Sequence, residues 1–253
     1  MKNPKNLFKQ ALKRQSHQLG IWNTIGGNTV AEMLGGAGFD WVLVDCEHAA
    51  IETVEVQQAL QAISATPGVS GVVRPASNDA TTFKRLLDMG AQSLIVPYIQ
   101  TADEAEAAVS AMRYAPSGIR GMAGMTRATR YGKVENYFET AAQELCLVAQ
   151  VESQQGLDAL EDIARVDGVD GVFIGPADLS ASMGYPGQLD HPEVTRAIEN
   201  AFQRLARIEV PAGIMSLDPK AAAKYIAIGS VFTAVGVDLV LLADALCALR
   251  RKF

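Results

Sequence analysis

Short apolar runs rich in β-branched residues recur eight times along the chain, each followed by a longer stretch whose apolar positions repeat every three or four residues. The runs are Leu19–Asn23, Trp41–Asp45, Gly71–Pro75, Ser93–Pro97, Leu145–Glu152, Gly168–Ile174, Val210–Met215 and Val231–Val235. Their near-continuous hydrophobicity predicts strands buried on both faces, as in a parallel sheet. Between them, Val54–Ser64, Thr81–Met89, Ala102–Met112, Gly156–Ala164, Pro192–Ile208 and Asp218–Ile228 read as helices, several opened by Asp, Ser or Thr and closed near Gly. Eight βα units either close into a barrel or remain an open, doubly wound sheet. An open sheet that holds a dinucleotide carries Gly-x-Gly-x-x-Gly after its first strand, and Ile25-Gly-Gly-Asn-Thr-Val-Ala does not match it. The expected fold is therefore an α/β TIM (β/α)8 barrel, with its chemistry on the loops that follow the strands.

Length and composition sharpen this picture. A chain of 253 residues with 49% hydrophobic content suits one barrel domain spanning 1–253. The longest irregular piece, Tyr114–Tyr137, follows the fourth strand. With a net charge of -6 and no basic stretch interleaved with aromatics, the chain gives no sign of a nucleic-acid groove. Cys46, Cys146 and Cys247 are an odd number without close pairing, so neither a disulfide framework nor a zinc knuckle is expected. The first residues lack the apolar core of a signal peptide, and no run of about 18 apolar residues is present to span a bilayer. A cytoplasmic protein without membrane or nucleic-acid partners is expected.

Polar groups gather just after the strands: Trp22 after the first, Asp45, Glu47 and His48 after the second, Arg74 at the end of the third, Gln150 and Glu152 at the end of the fifth. Asp178 follows the sixth strand through the turn Gly175-Pro176-Ala177. Glu152 and Asp178, two carboxylates with no Cys or His beside them, suit a hard divalent cation such as Mg²⁺ or Mn²⁺, with Co²⁺ or Zn²⁺ as substitutes. The alternative is that Glu152 caps the helix after it and Asp178 is an N-cap before Leu179. His48, three residues after Asp45, is either a base held in one tautomer by that carboxylate or a structural hydrogen-bonding histidine. Arg74 is either an ion-pair partner or the cation opposite a developing enolate. Trp22 lines the pocket or packs the core. None of the eight runs carries a lysine at its end, so no buried Schiff-base lysine is offered.

Longer strings are more specific. Gly38-Phe-Asp-Trp-Val-Leu-Val-Asp-Cys-Glu-His-Ala, Val73-Arg-Pro, Lys84-Arg-Leu-Leu-Asp-Met-Gly, Arg113-Tyr-Ala-Pro-Ser-Gly-Ile-Arg-Gly, Gln150-Val-Glu-Ser and Gly168-Val-Asp-Gly-Val-Phe-Ile-Gly-Pro-Ala-Asp-Leu-Ser closely resemble the HpcH/HpaI family of class II pyruvate aldolases. The resemblance runs from about Leu19 to the C-terminus. It implies a carbon-carbon lyase that reversibly cleaves a 4-hydroxy-2-oxo acid into pyruvate, or hydroxypyruvate, and an aldehyde. It further implies Glu152 and Asp178 as metal ligands, His48 with Asp45 as a proton-moving pair, and Arg74 as the partner of the enolate and keto oxygen. Gln150 falls beside the metal, the backbone of Gly175, Pro176 and Ala177 receives the substrate carboxylate, and Trp22 lines the acceptor side. The resemblance also implies a homo-oligomer, a hexamer built as a trimer of dimers, with the C-terminal helix exchanged between subunits and Asp88 reaching a neighbour's site.

This chain departs from the family pattern at Cys46, at Ala50 and in the string Gly121-Met-Ala-Gly-Met-Thr-Arg-Ala-Thr-Arg-Tyr-Gly. Those departures leave the aldehyde undetermined. Arg127 or Arg130 either reads a distal carboxylate or is a solvated surface charge. The rival readings are a lyase similar to citrate lyase β or malyl-CoA lyase, and a non-catalytic metabolite-binding oligomer.

Overall fold

The computed structural model describes residues 1–253. Its strands are β1 (Gln18–Asn23), β2 (Trp41–Asp45), β3 (Ser70–Arg74), β4 (Ser93–Val96), β5 (Cys146–Val151), β6 (Val169–Ile174), β7 (Ala212–Met215) and β8 (Ser230–Val237). They form a closed barrel in sequence order, each strand parallel to both neighbours. The helices are α1 (Leu7–Lys13), α2 (Asn28–Gly35), α3 (Thr53–Ile63), α4 (Ala80–Asp88), α5 (Ala102–Met112), α6 (Tyr137–Glu144), α7 (Gln154–Asp158), α8 (Leu160–Ala164), α9 (Pro176–Ser182), α10 (Pro192–Arg207), α11 (Pro219–Ala227) and α12 (Asp238–Arg250). The TIM barrel expected from the pattern of apolar runs is the fold observed.

Side chains alternate across each strand, and the alternation sorts the apolar residues into two cores. Val42, Val44, Val73, Leu94, Val96, Ala149, Val151, Val172 and Ile174 point outward and pack beneath the helices. Trp41, Leu43, Val72, Ile95, Cys146, Val148, Phe173 and Phe232 point inward and fill the barrel. The end of the barrel at which the strands begin is plugged. Phe8 of α1 meets Trp41 at 5.6 Å and Phe232 at 5.5 Å between ring centroids, and both α1 residues facing the barrel, Phe8 and Leu12, are fully buried. Asn6 caps α1 by accepting from the Lys9 backbone, and it donates to Ser93 and to the Glu144 carbonyl. Two glycines make room for the plug: a Cβ on Gly20 would lie 2.0 Å from the Trp41 indole, and one on Gly213 would lie 2.3 Å from the Phe232 ring.

The differences from the expected elements have local causes. β3 and β4 end at Arg74 and Val96, one residue short of Pro75 and Pro97, which have no N–H to give the ladder. β7 likewise starts after Pro211. The stretch expected as one helix over Gly156–Ala164 starts earlier and divides at Ala159 into α7 and α8. The irregular segment after α5 keeps only a short bridge, Tyr114 to Arg120, before α6 begins at Tyr137.

Helix α12 packs against β1 and β8 but buries only its first residue, Asp238, while Leu239, Leu241, Leu242, Leu246 and Leu249 are exposed. Asp238 fastens this helix to the loop after β1, accepting from Asn23 Nδ2, from the backbone and hydroxyl of Thr24, and from the Ile25 backbone. No helix is long and apolar enough to cross a membrane.

Because the plug leaves no space at Gly20, the Gly20→Ala variant is expected to lose about 1–3 kcal/mol of stability through overpacking against Trp41. Urea denaturation measures this, and an unchanged midpoint would show that the interior of the barrel can yield.

Candidate active site

The inward positions that fill the barrel continue past its last apolar layer and become polar. Along β2 the inward series runs Trp41, Leu43, Asp45; along β3 it runs Val72, Arg74; along β5 it runs Cys146, Val148, Gln150, with Glu152 just beyond the strand. Trp22 of β1 belongs to the same layer. Alternation within the strands thus carries Asp45, Arg74, Gln150, Glu152 and Trp22 to one mouth, at the end where the strands finish.

Arg74 is buried there, at 5% exposure. Its Nε and Nη2 each donate to Asp45 at 2.8 Å, a two-pronged contact, and its Nη1 lies 2.8 Å from Glu47 Oε2. The guanidinium also rests over the Trp22 ring at 4.2 Å. Two of five N–H groups serve Asp45, so donors remain for a group in the mouth. Of the two readings of Arg74, the structure shows the ion pair, and it places that pair buried at the mouth and not on the surface.

Asp45 gives its carboxylate to Arg74 and to the backbone N–H of Glu47, and makes no bond to His48. His48 is largely exposed, with Nε2 3.9 Å from Glu47 Oε2. The structure therefore sets Glu47, which the sequence placed near the site without a role, between Arg74 and His48. Glu47 Oε2 touches Arg74 but finds no aligned donor, and burial foremost raises the Glu47 carboxyl above its usual range.

Glu152 is 3% exposed. Its Oε2 accepts from Gln150 Nε2 at 2.6 Å and its Oε1 from the Tyr98 backbone at 2.8 Å. Tyr98 reaches it because its backbone is left-handed, with φ of 57°, directly after β4; nothing in the residue type announces this. Burial pushes the Glu152 carboxyl up to about 7, with the neighbouring carboxylates Glu47 and Asp178 adding to the rise and the two hydrogen bonds opposing it. Glu152 does not cap the next helix: Ser153 does, accepting from the Gly156 backbone. Asp178 is the third residue of α9, whose N-cap is Gly175, and it is exposed without a bonded partner in the chain. Both alternative capping roles are therefore taken by other residues. Gly175 has a steric role besides: a Cβ there would stand 2.4 Å from Glu152 Oε2. The β6–α9 turn can cross Glu152 only because that position is bare.

These groups fit a hard cation. Glu152 is a buried carboxylate with no cationic partner, Gln150 Oε1 is a buried acceptor with no donor, and the field of Asp178 reaches Glu152. No cluster of three or more His, Cys, Asp or Glu side chains is gathered for a metal.

Not every residue expected at the site is brought to it. Asp88 ends α4, at the plugged end of the barrel, and pairs with Arg120 at 2.8 Å. Arg127 and Arg130 also lie toward that end, near the starts of β3 and β4, and so cannot touch a substrate in their own chain's mouth.

A closed parallel barrel whose polar mouth carries an acidic pair, a clamped arginine and a histidine has the architecture of a barrel enzyme. The chain belongs to the HpcH/HpaI aldolase/citrate lyase family, whose model matches residues 18–245. It is 52% identical to a pyruvate aldolase of Rhizobium etli, over 100% of this chain and 99% of the relative. It is 50% identical to a hydroxypyruvate/pyruvate aldolase of Sagittula stellata, over 99% of this chain and 98% of the relative. Among solved structures, an HpcH/HpaI aldolase/citrate lyase family protein from Burkholderia cenocepacia superposes with a TM-score of 0.94 at 36% identity, covering 98% of this chain and 99% of that one.

The raised carboxyl of Glu152 has a stability consequence. The folded state holds its proton up to about pH 7, whereas the unfolded chain releases it near the ordinary glutamate value of 4.5. The contribution of this group is therefore greatest below 4.5 and falls as pH rises to about 7, by up to about 3 kcal/mol. In chelator-treated protein, Glu152→Gln is expected to flatten that fall and to unfold at a higher temperature than wild type at pH 8. Equal pH slopes in the two proteins would show that the charge on Glu152 is already compensated.

Proposed function

We propose that the chain works as a single barrel domain and as a metal-dependent aldolase, reversibly cleaving a 4-hydroxy-2-oxo acid into pyruvate, or hydroxypyruvate, and an aldehyde. The observation that carries this reading is the uncompensated burial of Glu152 beside Asp178, across the mouth from a clamped Arg74. The aldolase relatives at about half identity support it.

Glu152 and Asp178 would hold a divalent cation, Mg²⁺ or Mn²⁺ by the hardness of the donors, with Co²⁺ or Zn²⁺ as substitutes. When bound, the cation supplies positive charge against the 2-oxo and carboxylate oxygens of the substrate. The chain's own residues do the rest. Gln150 fixes the Glu152 carboxylate through its amide hydrogen bond. The free backbone N–H groups of Ala177 and Asp178, in the first turn of α9 after Pro176, which has none, would receive a substrate carboxylate, with Gly175 allowing close approach. Arg74 donates to the oxygen on which charge develops as C3–C4 breaks, and the fixed Asp45 contact means that it need not reorganise to do so. Trp22 forms the floor beneath Arg74 on the acceptor side.

In cleavage, His48 takes the C4 hydroxyl proton as the C3–C4 electrons pass into the pyruvate enolate and C4 becomes the aldehyde carbon, and the His48 imidazolium then returns that proton to C3. Asp45 was expected to be the carboxylate behind His48. In this structure Asp45 serves Arg74, and Glu47 is the carboxylate near the imidazole. A Schiff-base route lacks its lysine: none is buried, and Lys9, the α1 lysine at the barrel, pairs with Asp170 at the plugged end.

We further propose a homo-oligomer in which α12 crosses to a partner, supported by the row of exposed leucines on that helix. Asp88, remote from its own mouth, would approach a neighbour's site in a hexamer arranged as a trimer of dimers. Three free cysteines fit a cytoplasmic setting.

Two measurements test these readings. Chelator treatment, or Glu152→Gln combined with Asp178→Asn, is expected to lower retro-aldol turnover by about three orders of magnitude, the scale of an electrostatic contribution to an enolate. Turnover that survives EDTA, or a borohydride-trapped pyruvate adduct, would overturn the metal route. Leu242→Glu with Leu246→Glu is expected to reduce the assembly to a smaller species in light scattering, whereas an unchanged mass would refute the exchange of α12.

A further inference from the structure

The plugged end of the barrel carries a second polar cavity that the proposed reaction does not use. It lies where β3 and β4 begin, bounded by Ser70, Gln92 and the turn that carries Arg127 and Arg130. Its volume is about 120 Å³, and a space of about 30 Å³ adjoins it across the same two arginines. A water molecule needs only about 10–15 Å³ in this measure, so the larger space admits a small polyatomic group.

Charge is what sets this cavity apart. The chain as a whole carries -6, yet Lys5, Arg127 and Arg130 line this region against one carboxylate, Glu144, which pairs with Lys5. Arg127 spends its guanidinium on two backbone carbonyls, those of Met89 at 3.0 Å and Leu60 at 3.3 Å, and on no acid. Arg130 makes no side-chain hydrogen bond and no ion pair in the chain, and its charge acts on Arg127 as a repulsion, second to burial there.

The two arginines are also held in place. Thr129, between them, is 2% exposed; its hydroxyl bonds the carbonyls of Gly124 and Thr126 and accepts from the Gly132 backbone. Arg130 and Tyr131 are consecutive residues in the left-handed region, at φ of 50° and 56°, a conformation that costs free energy for side-chain-bearing residues. Gly90, at φ of 92°, leaves the space occupied by the Arg127 guanidinium, since a Cβ would stand 2.4 Å from its Nη1. A rigid turn thus presents two guanidinium groups, three residues apart, to one cavity with no carboxylate to meet them.

We propose that this cavity is a binding site for a small oxyanion of phosphate-like chemistry, either free phosphate or the phosphate of a small phosphomonoester. Two planar guanidinium groups match such an anion with charge-assisted hydrogen bonds, and Ser70 and Gln92 add neutral donors at its edge. Occupancy would tie together the end of α3, the α4–β4 connection and the 126–131 turn. That turn already bonds the Asp88 carbonyl through the Ala128 N–H. The anion would therefore stiffen the segment that holds Asp88 and Arg120.

The test is calorimetric titration of the Mg²⁺-loaded, full-length protein with inorganic phosphate and, in a separate arm, with glycerol 3-phosphate. Ionic strength is matched with chloride, and saturating pyruvate keeps the mouth occupied. One site per chain is expected, weakened about tenfold or more in Arg130→Gln, the scale of one lost charged hydrogen bond, with aldolase turnover unchanged. Lys5→Gln provides a second variant in case Arg130→Gln folds poorly, and it is expected to weaken binding in the same direction. Tighter binding of one probe than the other identifies the source of the phosphate. No saturable binding of either probe, equal binding by wild type and both variants, or a signal that chloride reproduces would overturn the proposal.

Discussion

Glu152 is a carboxylate removed from water with no positive charge set against it. Its two hydrogen bonds come from an amide and a backbone N–H, and together they fail to offset burial, which lifts the carboxyl to about 7. A protein interior holds such a group as a charged carboxylate only with compensation, because leaving the charge unpaired costs several kcal/mol; without it the carboxyl keeps its proton. Several neighbouring features are arranged around that position. Gly175 is bare where a methyl would strike it, Tyr98 adopts a left-handed backbone to reach it, and Gln150 is turned so that its amide nitrogen, not its oxygen, faces it. In the proposed function, a cation shared with Asp178 would give this arrangement its compensation and at the same time give the site its chemistry.

The arginine across the mouth follows the opposite logic. Arg74 is nearly as buried, yet it is fully answered by Asp45 and touched by Glu47 and Trp22. A charge that is already paired does not attract a metal or surrender a proton; it is a fixed donor. One mouth therefore holds an anion that needs a cation and a cation that is already oriented. An enolate requires that division, with positive charge on two sides of the oxygen where the electrons collect. Glu47 sits between Arg74 and His48, with an oxygen that finds no aligned donor and an imidazole at 3.9 Å.

Much of this was legible from residue spacing. The eight apolar runs sufficed for the barrel, and the two-residue period that carries Leu43 to Asp45 and Val148 to Gln150 also predicts which polar side chains enter the mouth. Proline explains where the observed strands stop short. Other features left no such trace. The Tyr98 contact is made by backbone, and any residue able to hold a left-handed φ could supply it. The partner of Asp45 is Arg74 and not His48, because register sets Asp45 directly beside Arg74 on adjacent strands, while His48 has already left the sheet. Short sequence separation favoured the histidine; pairing between strands decided otherwise. The position of Arg127 and Arg130 at the plugged end likewise depends on how a long irregular segment folds back, which periodicity does not report.

Close relatives named for pyruvate and hydroxypyruvate share this chain over nearly its full length, so the account turns on whether the mouth stabilises an enolate with the help of a cation. Proton NMR of pyruvate in deuterium oxide reads that step without any aldehyde. The account predicts that methyl protons exchange for deuterium in the presence of enzyme and Mg²⁺ or Mn²⁺, and that exchange stops on chelation and in Glu152→Gln. Exchange that continues in the chelated enzyme, or a metal-loaded wild type that never exchanges the methyl group, would contradict it.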